Sequence, residues 1–561
     1  MISWRGVLGE TARSDFFAKA RPYVNSPAVP LLCIALVLIM QATLVFNRAI
    51  NWDEFHFYEQ VELFTRGVLQ HPLQTLHVRI FQWLPSLAGT GVDHIIMARV
   101  VMFFCEMVTS AGIILLATRF TNWKIGVLCA LAYVSSGFVM QHGFSFRTDP
   151  IIAALMMSAL CILGYTRFKG VWVVLFAALI ALAAMFSIKI ILWAPAFAGL
   201  AWWRWHEESY GVSLVLRVAV AICMTAIFFG LLYYYHSTFG VSVDSHAETI
   251  LQNSASKMFF LGVPPYWALM LKFVSMSEIL VLTILFFPFA AYASPLNRNV
   301  KVAMIGLFLP ITLLGFYFNA LPYFYAFMLP PIAVACALPL SMICSRYGVA
   351  LPAFAFMAMA FGIWMQEDRG VIDKQREVQN IAYKIFPENI SYFDFSGFLP
   401  RQDKANTFMT LWGAEQYRQG GSLPMREVMQ RKPVPLVVEM DDMFSGALLT
   451  DEPQPIFLQQ DVAALRESYV PFWGPYWVAG KNILPDTHSM NTEFLVPGPY
   501  TLSGAPIEFD GRRLEPGDVV TVKRGVHALT ALGGMPAQLL WGDHLRKPDK
   551  EPPARPYWTF F

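Results

Sequence analysis

The sequence predicts an α-helical polytopic membrane protein of about eleven transmembrane helices, followed by a soluble α+β domain that ends in a β-sandwich-like module. Three observations predict it. Of the 561 residues, 56% are hydrophobic and only 14% charged, against roughly 25% charged in ordinary soluble domains. So few charges cannot cover a soluble surface, and lipid must do that covering. Apolar runs of spanning length recur between residues 28 and 365, and after Trp364 the composition changes to Asp, Glu, Arg, Gln and Gly with alternating, strand-like runs.

The spans are read near 28–46, 96–117, 124–142, 150–167, 171–187, 189–203, 212–235, 274–293, 301–318, 325–345 and 349–365, from the roughly 20 apolar residues that a spanning helix needs. Residues 1–27 carry Arg5, Arg13, Lys19 and Arg21 and lead into the first run without a small-residue cleavage site. They read as a cytoplasmic segment before an uncleaved anchor. Each even-numbered exit is short and basic: Arg119 and Lys124, Arg167 and Lys169, Arg204, Arg298 and Lys301, Arg346. The positive-inside rule puts these loops in the cytoplasm. An odd number of spans then places residues 366–561 outside it, in the periplasmic or extracellular space.

Residues 47–95 form a long outer loop with apolar residues at helical spacing (Phe57, Val61, Phe64, Val68), a pattern for amphipathic helices on the membrane surface. Residues 236–273 form a second. In the last third, Pro435–Met440, Tyr500–Leu502 and Val519–Val522 read as strands, and Asp510-Gly511 and Glu515-Pro516-Gly517 as turns. The seven cysteines all lie at or before residue 344, so the C-terminal domain needs no disulfide, and no spacing marks a zinc site. No basic block resembles a nucleic-acid footprint.

Polar residues at a membrane are costly and collect where they are needed. Here they gather on the non-cytoplasmic face. The first loop opens Asn51-Trp-Asp-Glu-Phe-His-Phe-Tyr-Glu59 and continues through Arg66, His71-Pro72, His77 and Arg79. The second outer connection reads His142-Gly-Phe-Ser-Phe-Arg-Thr-Asp-Pro150, the third Ser187-Ile-Lys189, and the fifth brings Asn319, Pro322, Tyr323 and Tyr325. Carboxylates can take a proton from an acceptor hydroxyl, and Arg and Lys can hold a phosphate whose charge grows as a bond to it breaks.

These residues resemble the GT-C superfamily of polyprenyl-phosphate-sugar glycosyltransferases, which includes the protein O-mannosyltransferases and the bacterial aminoarabinose transferase. The acidic pair Asp53-Glu54 after the first span is close to the mannosyltransferase Phe-Asp-Glu-x-His-Phe. His71-Pro72 is similar to the family's His-Pro-Pro, without its second proline. Arg147-Thr-Asp149 matches an Arg-x-Asp seen in bacterial members, and Leu321-Pro-Tyr-Phe-Tyr325 with Leu329-Pro-Pro331 resembles the Pro-Tyr-Tyr…Pro run. The resemblance covers residues 28–345.

It implies a GT-C-like transmembrane catalytic domain over 28–365 and an inverting transfer from a sugar on an isoprenoid lipid phosphate. Asp53 would be the general base. Lys189, Arg147 and Arg79 would hold the departing lipid phosphate. Glu54, Asp149, His56, Tyr323 and Tyr325 would complete or orient the site. It implies no catalytic metal, although some relatives use one. The acceptor it implies is an envelope glycan or glycolipid, because the His-Pro motif is incomplete and the C-terminal domain differs from that of the protein O-mannosyltransferases. The expected location is the inner (plasma) membrane, with the site on its outer face.

Simpler readings remain for each residue. Asp53-Glu54 also fits charges that start a helix, and His56-x-x-Glu59 fits an exposed helix face as well as a metal pair. Arg147 and Asp149 fit a plain ion pair, Lys189 a snorkelling side chain, and the tyrosines an aromatic belt. Two other functions compete. A secondary transporter normally shows repeats and polar residues at the midplane. A non-enzymatic glycan sensor would leave the acidic first loop unexplained.

Overall fold

In the computed structural model the described residues are 26–69, 74–208, 211–238, 258–407, 409–450, 456–485 and 489–559. His71-Pro72 and residues 1–25 of the segment expected to be cytoplasmic lie outside them. The chain divides into two units. The first takes in Met1–Asn47, Phe64–Gln82 and Ile96–Glu367. The second takes in Arg48–Leu63, Trp83–Ile95 and Asp368–Phe561.

Each predicted apolar segment folds as helix, the one way that a spanning backbone satisfies its own polar groups without a sheet. In chain order they begin with α1 (Ala28–Asn47), α2 (Trp52–Thr65), α3 (His77–Phe81), α4 (Gly91–Phe120), α5 (Trp123–Val134), α6 (Gly137–His142) and α7 (Thr148–Tyr165). Then come α8 (Val171–Phe186), α9 (Ala194–Glu207), α10 (Val212–Ser237), α11 (Trp267–Met276), α12 (Glu278–Ala293), α13 (Arg298–Phe308), α14 (Phe324–Ala335), α15 (Ala337–Tyr347) and α16 (Ala350–Gln366). Among the described residues, five continuous helices are long and apolar enough to cross a membrane: α1, α4, α7, α10, and α13 with the turn that follows it. Two pairs, α11–α12 and α14–α15, add two more if each bent pair is one span. The chain is a multi-pass membrane protein.

The breaks have local causes. Ser135 and Ser136 separate α5 from α6. The α11–α12 bend of 100° falls at Ser277, whose hydroxyl accepts from the Gly137 amide at 2.8 Å. Within α14, Pro330 and Pro331 cannot donate to the carbonyls four residues back. Side chains take over. Tyr133 Oη donates to the Ala326 carbonyl at 3.0 Å, and Trp193 Nε1 to that of Phe327 at 3.1 Å. Close packing uses glycine: α9 and α13 meet at Gly199 and Gly306, where a Cβ on Gly306 would lie 2.6 Å from the Pro195 carbonyl, the small-residue contact that membrane helices favour. Buried Glu106 accepts from Gln41 Nε2 at 2.9 Å, so its partner is on a neighbouring helix rather than in the outer cluster.

In the second unit, α17 (Val371–Ile385) precedes a mixed sheet. Its strands are β1 (Ser391–Phe393), β2 (Asp403–Lys404), β3 (Leu436–Val438), β4 (Tyr469–Trp473) and β5 (Tyr476–Ile483), interleaved with short helices. β1 runs parallel to both β2 and β3. One half of β5 pairs with β3 and β4; the other half, from Gly480, pairs with β12 (Ala537–Trp541). The sheet continues through β7 (Gly498–Gly504) to β10 (Val519–Val522). A second sheet, β6 (Met490–Phe494), β11 (Gly525–Ala531), β8 (Ile507–Phe509) and β9 (Arg512–Leu514), completes a sandwich-like core of Phe494, Tyr500, Leu502, Phe509, Leu529 and Leu539. Asp510 and Gly511 both take positive φ (49° and 81°) in the β8–β9 turn, as a two-residue hairpin requires. The aromatic run Tyr469–Trp477 is mostly buried in strands.

Candidate active site

The two units each carry a cluster of the predicted residues. In the second, α2 opens with a capping box. The Asn51 side chain accepts from the Glu54 amide at 3.2 Å, and the Glu54 carboxylate accepts from the Asn51 amide at 3.2 Å. Glu54 is fully buried and thus fixes the turn. Asp53, in the same turn, is 7% exposed. The positive end of the helix dipole favours its carboxylate. Further along α2, His56 lies 3.6 Å from Glu59 and 3.0 Å from Gln60 Nε2, so the i,i+3 pair forms. Among the described residues no group of three or more His, Cys, Asp or Glu comes together to hold a metal ion.

The same helix holds a cluster that its sequence does not announce. The Tyr58 hydroxyl is 2.6 Å from Glu62 Oε1 and 2.5 Å from His94 Nδ1, and His94 Nε2 is 3.0 Å from the Leu87 carbonyl. Burial, reinforced by Glu62, pushes the Tyr58 phenol well above its ordinary range.

In the first unit, Arg147, Asp149, Lys189 and Tyr323 come together. Asp149 opens α7 and is almost wholly buried. Its Oδ2 accepts from Arg147 Nε at 3.3 Å and its Oδ1 from Lys189 Nζ. The 3-10 turn Ile188–Trp193, capped by the Ser187 hydroxyl on the Lys189 amide, presents the lysine. The Arg147 guanidinium sits 3.3 Å from the Tyr323 ring centroid. Two cations meet one carboxylate at the start of α7, the positive end of the helix dipole. Such a site suits an anion, and a phosphate above all.

The other two predicted residues sit elsewhere in this unit. Arg79 donates to His236 Nδ1 at 3.0 Å and to the Tyr235 carbonyl at 3.1 Å, where it holds the end of α10. Tyr325 is buried between Phe138 and Phe273, with ring centroids at 5.0 and 4.2 Å. Alternation along the Pro322–Tyr325 turn sends Tyr323 to the cations and Tyr325 to the core.

Among solved structures the chain is similar to ArnT from Cupriavidus metallidurans bound to undecaprenyl phosphate, with a TM-score of 0.50 and 14% identity over 75% of this chain and 94% of that one. The apo state of the same protein gives a TM-score of 0.50 at 15% identity, with the same coverage. The oligosaccharyltransferase of Archaeoglobus fulgidus in its apo form gives 0.44 at 12% identity, over 80% of this chain and 74% of that one. No family model and no curated protein matches. The likeness is one of fold.

Proposed function

We propose that this GT-C-fold chain is a membrane glycosyltransferase that moves a sugar from a polyprenyl-phosphate donor to an envelope glycan or glycolipid on the non-cytoplasmic face. The carrying observation is the pairing of Arg147 and Lys189 on buried Asp149, a two-cation site at the start of a helix. Its support is the fold neighbour, which was solved with undecaprenyl phosphate bound, together with the motif resemblance. The basic loops after the even-numbered apolar runs, read with the positive-inside rule, support an outer location for this site and the C-terminal domain.

In this reading Asp53 removes the proton of the acceptor hydroxyl as its oxygen attacks the anomeric carbon. The bond from that carbon to the phosphate oxygen breaks, the electron pair leaves with the polyprenyl phosphate, and the anomeric centre inverts. Arg147 and Lys189 meet the charge that grows on the phosphate. Asp149 positions both cations. Glu54 sets the turn that carries Asp53.

The test is a transfer assay with purified full-length protein, a panel of undecaprenyl-phosphate sugars and an envelope lipid and glycan extract. Transfer by wild type, with binding but no turnover by Asp53→Asn, is the expected result. Wild-type turnover by Asp53→Asn would remove Asp53 as the base. Failure of wild type to bind any donor would remove the transferase reading.

A further inference from the structure

Asp53 lies between two aromatic residues, and each of them is gripped by sequence more than 300 positions away. The Trp52 ring meets Phe395 edge-on at 5.3 Å and Trp558 at 4.4 Å. The Phe55 ring meets Phe398 at 5.1 Å. Ahead of them Gln375, fully buried on α17, holds the Ile50 peptide on both sides: Oε1 accepts its N–H at 2.9 Å and Nε2 donates to its carbonyl at 2.8 Å. All these residues belong to the second unit.

The gripping loop is itself fixed. The Asp394 carboxylate accepts the amides of Phe395, Gly397 and Phe398 at 2.7, 2.8 and 2.6 Å. Gly397 has φ of 93°, and a Cβ there would stand 2.6 Å from the Glu59 carboxylate of α2. The loop thus packs against the Glu59 side chain with no room for a side chain of its own at Gly397. The space left among Ile50, Trp52, Phe395 and Trp558 is a cavity of about 20 Å³, room for about one water.

We infer that the C-terminal segment positions the base: Gln375, the Asp394–Phe398 loop and Trp558 hold the turn that presents Asp53. The inference rests on the reading of Asp53 as the base. Three distant segments meet residues 50, 52 and 55, on either side of the acid, and the Asp394–Phe398 loop also reaches Glu59 one turn further along α2. A general base has to sit within hydrogen-bond reach of the proton it takes, and a misplacement of about 1 Å costs about a hundredfold in rate.

The experiment uses full-length protein in detergent and compares Trp558→Ala, Gln375→Ala, Trp558→Phe and Asp53→Asn by hydrogen exchange and by transfer kinetics in the assay above. We expect Trp558→Ala and Gln375→Ala to speed amide exchange in residues 48–57 and to lower kcat about 10- to 100-fold, with the donor KM unchanged. Trp558→Phe should restore kcat. Should Trp558→Ala fail to fold, Trp558→Leu keeps the apolar burial and carries the same expectation. If kcat stays at the wild-type value while Asp53→Asn is inactive, the positioning role falls and the base assignment stands. If Asp53→Asn turns over normally, the base assignment itself falls. Faster exchange throughout the C-terminal sheets would mark the aromatic contacts as general stabilisers and overturn the inference.

Discussion

Tyr133 donates its phenol hydrogen to the carbonyl of Ala326, 3.0 Å away, and so replaces the amide hydrogen that Pro330 lacks. Trp193 does the same for Phe327 and Pro331. In a membrane interior no water can stand in for a missing donor. Tyr133→Phe is therefore expected to lower stability by about 1–3 kcal/mol, the cost of a buried group left without its partner. In a Pro330→Ala background, where the helix amide returns, the same change should cost much less. Thermal unfolding of the four proteins in detergent gives the coupling, and equal losses in both backgrounds would refute it.

In the proposed reaction Glu54 and Asp53 are neighbours with different work. Because Glu54 completes a capping box with Asn51, Glu54→Gln should keep both the turn and the transfer activity, whereas Glu54→Ala should lose about 1 kcal/mol. Asp53→Asn should keep the stability and lose the turnover. Melting curves and rates on the same preparations separate the two. A Glu54→Gln variant as inactive as Asp53→Asn would move Glu54 into the chemistry.

Lys189 meets the donor phosphate in the proposed reaction. Lys189→Met is expected to weaken undecaprenyl phosphate binding about 10- to 100-fold, the usual range for a hydrogen bond to a charged group, and to flatten its salt dependence. Arg79→Met, whose side chain is engaged with His236, should leave that affinity within about threefold by the same scale. Titration calorimetry decides, and a larger loss from Arg79→Met would return Arg79 to the phosphate site.

Much of this arrangement was legible from residue types alone. The apolar segments became helices because lipid leaves the backbone no other choice, and Val519–Val522 is a strand at the boundaries that its alternation predicts. Arg147 and Asp149 were legible because charge at a helix start needs a reason. What local pattern could not show is the division of the first outer loop. Residues 48–63 and 83–95 belong to the unit of the C-terminal domain, and 64–82 to the other, a choice made by partners such as Gln375 and Phe398 far along the chain. The breaks in α5–α6 and α11–α12 were equally hidden, since one or two serines, Ser135-Ser136 and Ser277, are too short an interruption to end an apolar run. Arg79 reads, like Lys189, as a cation of the outer connections, and its alternative partner, His236, is 157 residues away.

Gly199 and Gly306 set the distance between α9 and α13. Gly306→Ala places a methyl 2.6 Å from the Pro195 carbonyl and 2.8 Å from Gly199 Cα, so the helices must part, at a cost of about 1–3 kcal/mol. Gly362→Ala on α16 meets nothing within 4 Å and should stabilise by up to about 1 kcal/mol through helix propensity. Melting temperatures that move in the same direction for both would refute the packing argument.

Asp441 caps the helix Asp442–Leu449, with Oδ1 accepting the amides of Met443 and Phe444 at 2.9 and 3.1 Å. It also lines the cavity beside Trp52 and Trp558. Burial pushes its carboxyl up to about 7; the nearby Asp394 adds to this, and the capping amides oppose it. The folded protein therefore binds this proton more tightly than the unfolded chain, whose aspartate titrates near 4. Between about pH 4 and pH 7 the native state holds more protons, so this group's contribution falls as pH rises through that window and is level above it. Asp441→Asn keeps the cap and removes the titration. Its gain in stability over wild type should grow from pH 5 to pH 8 and reach on the order of 2–4 kcal/mol at the upper end. Unfolding at the two pH values measures it, and a variant less stable than wild type at pH 8 would mean that the charged carboxylate is held by more than its capping amides.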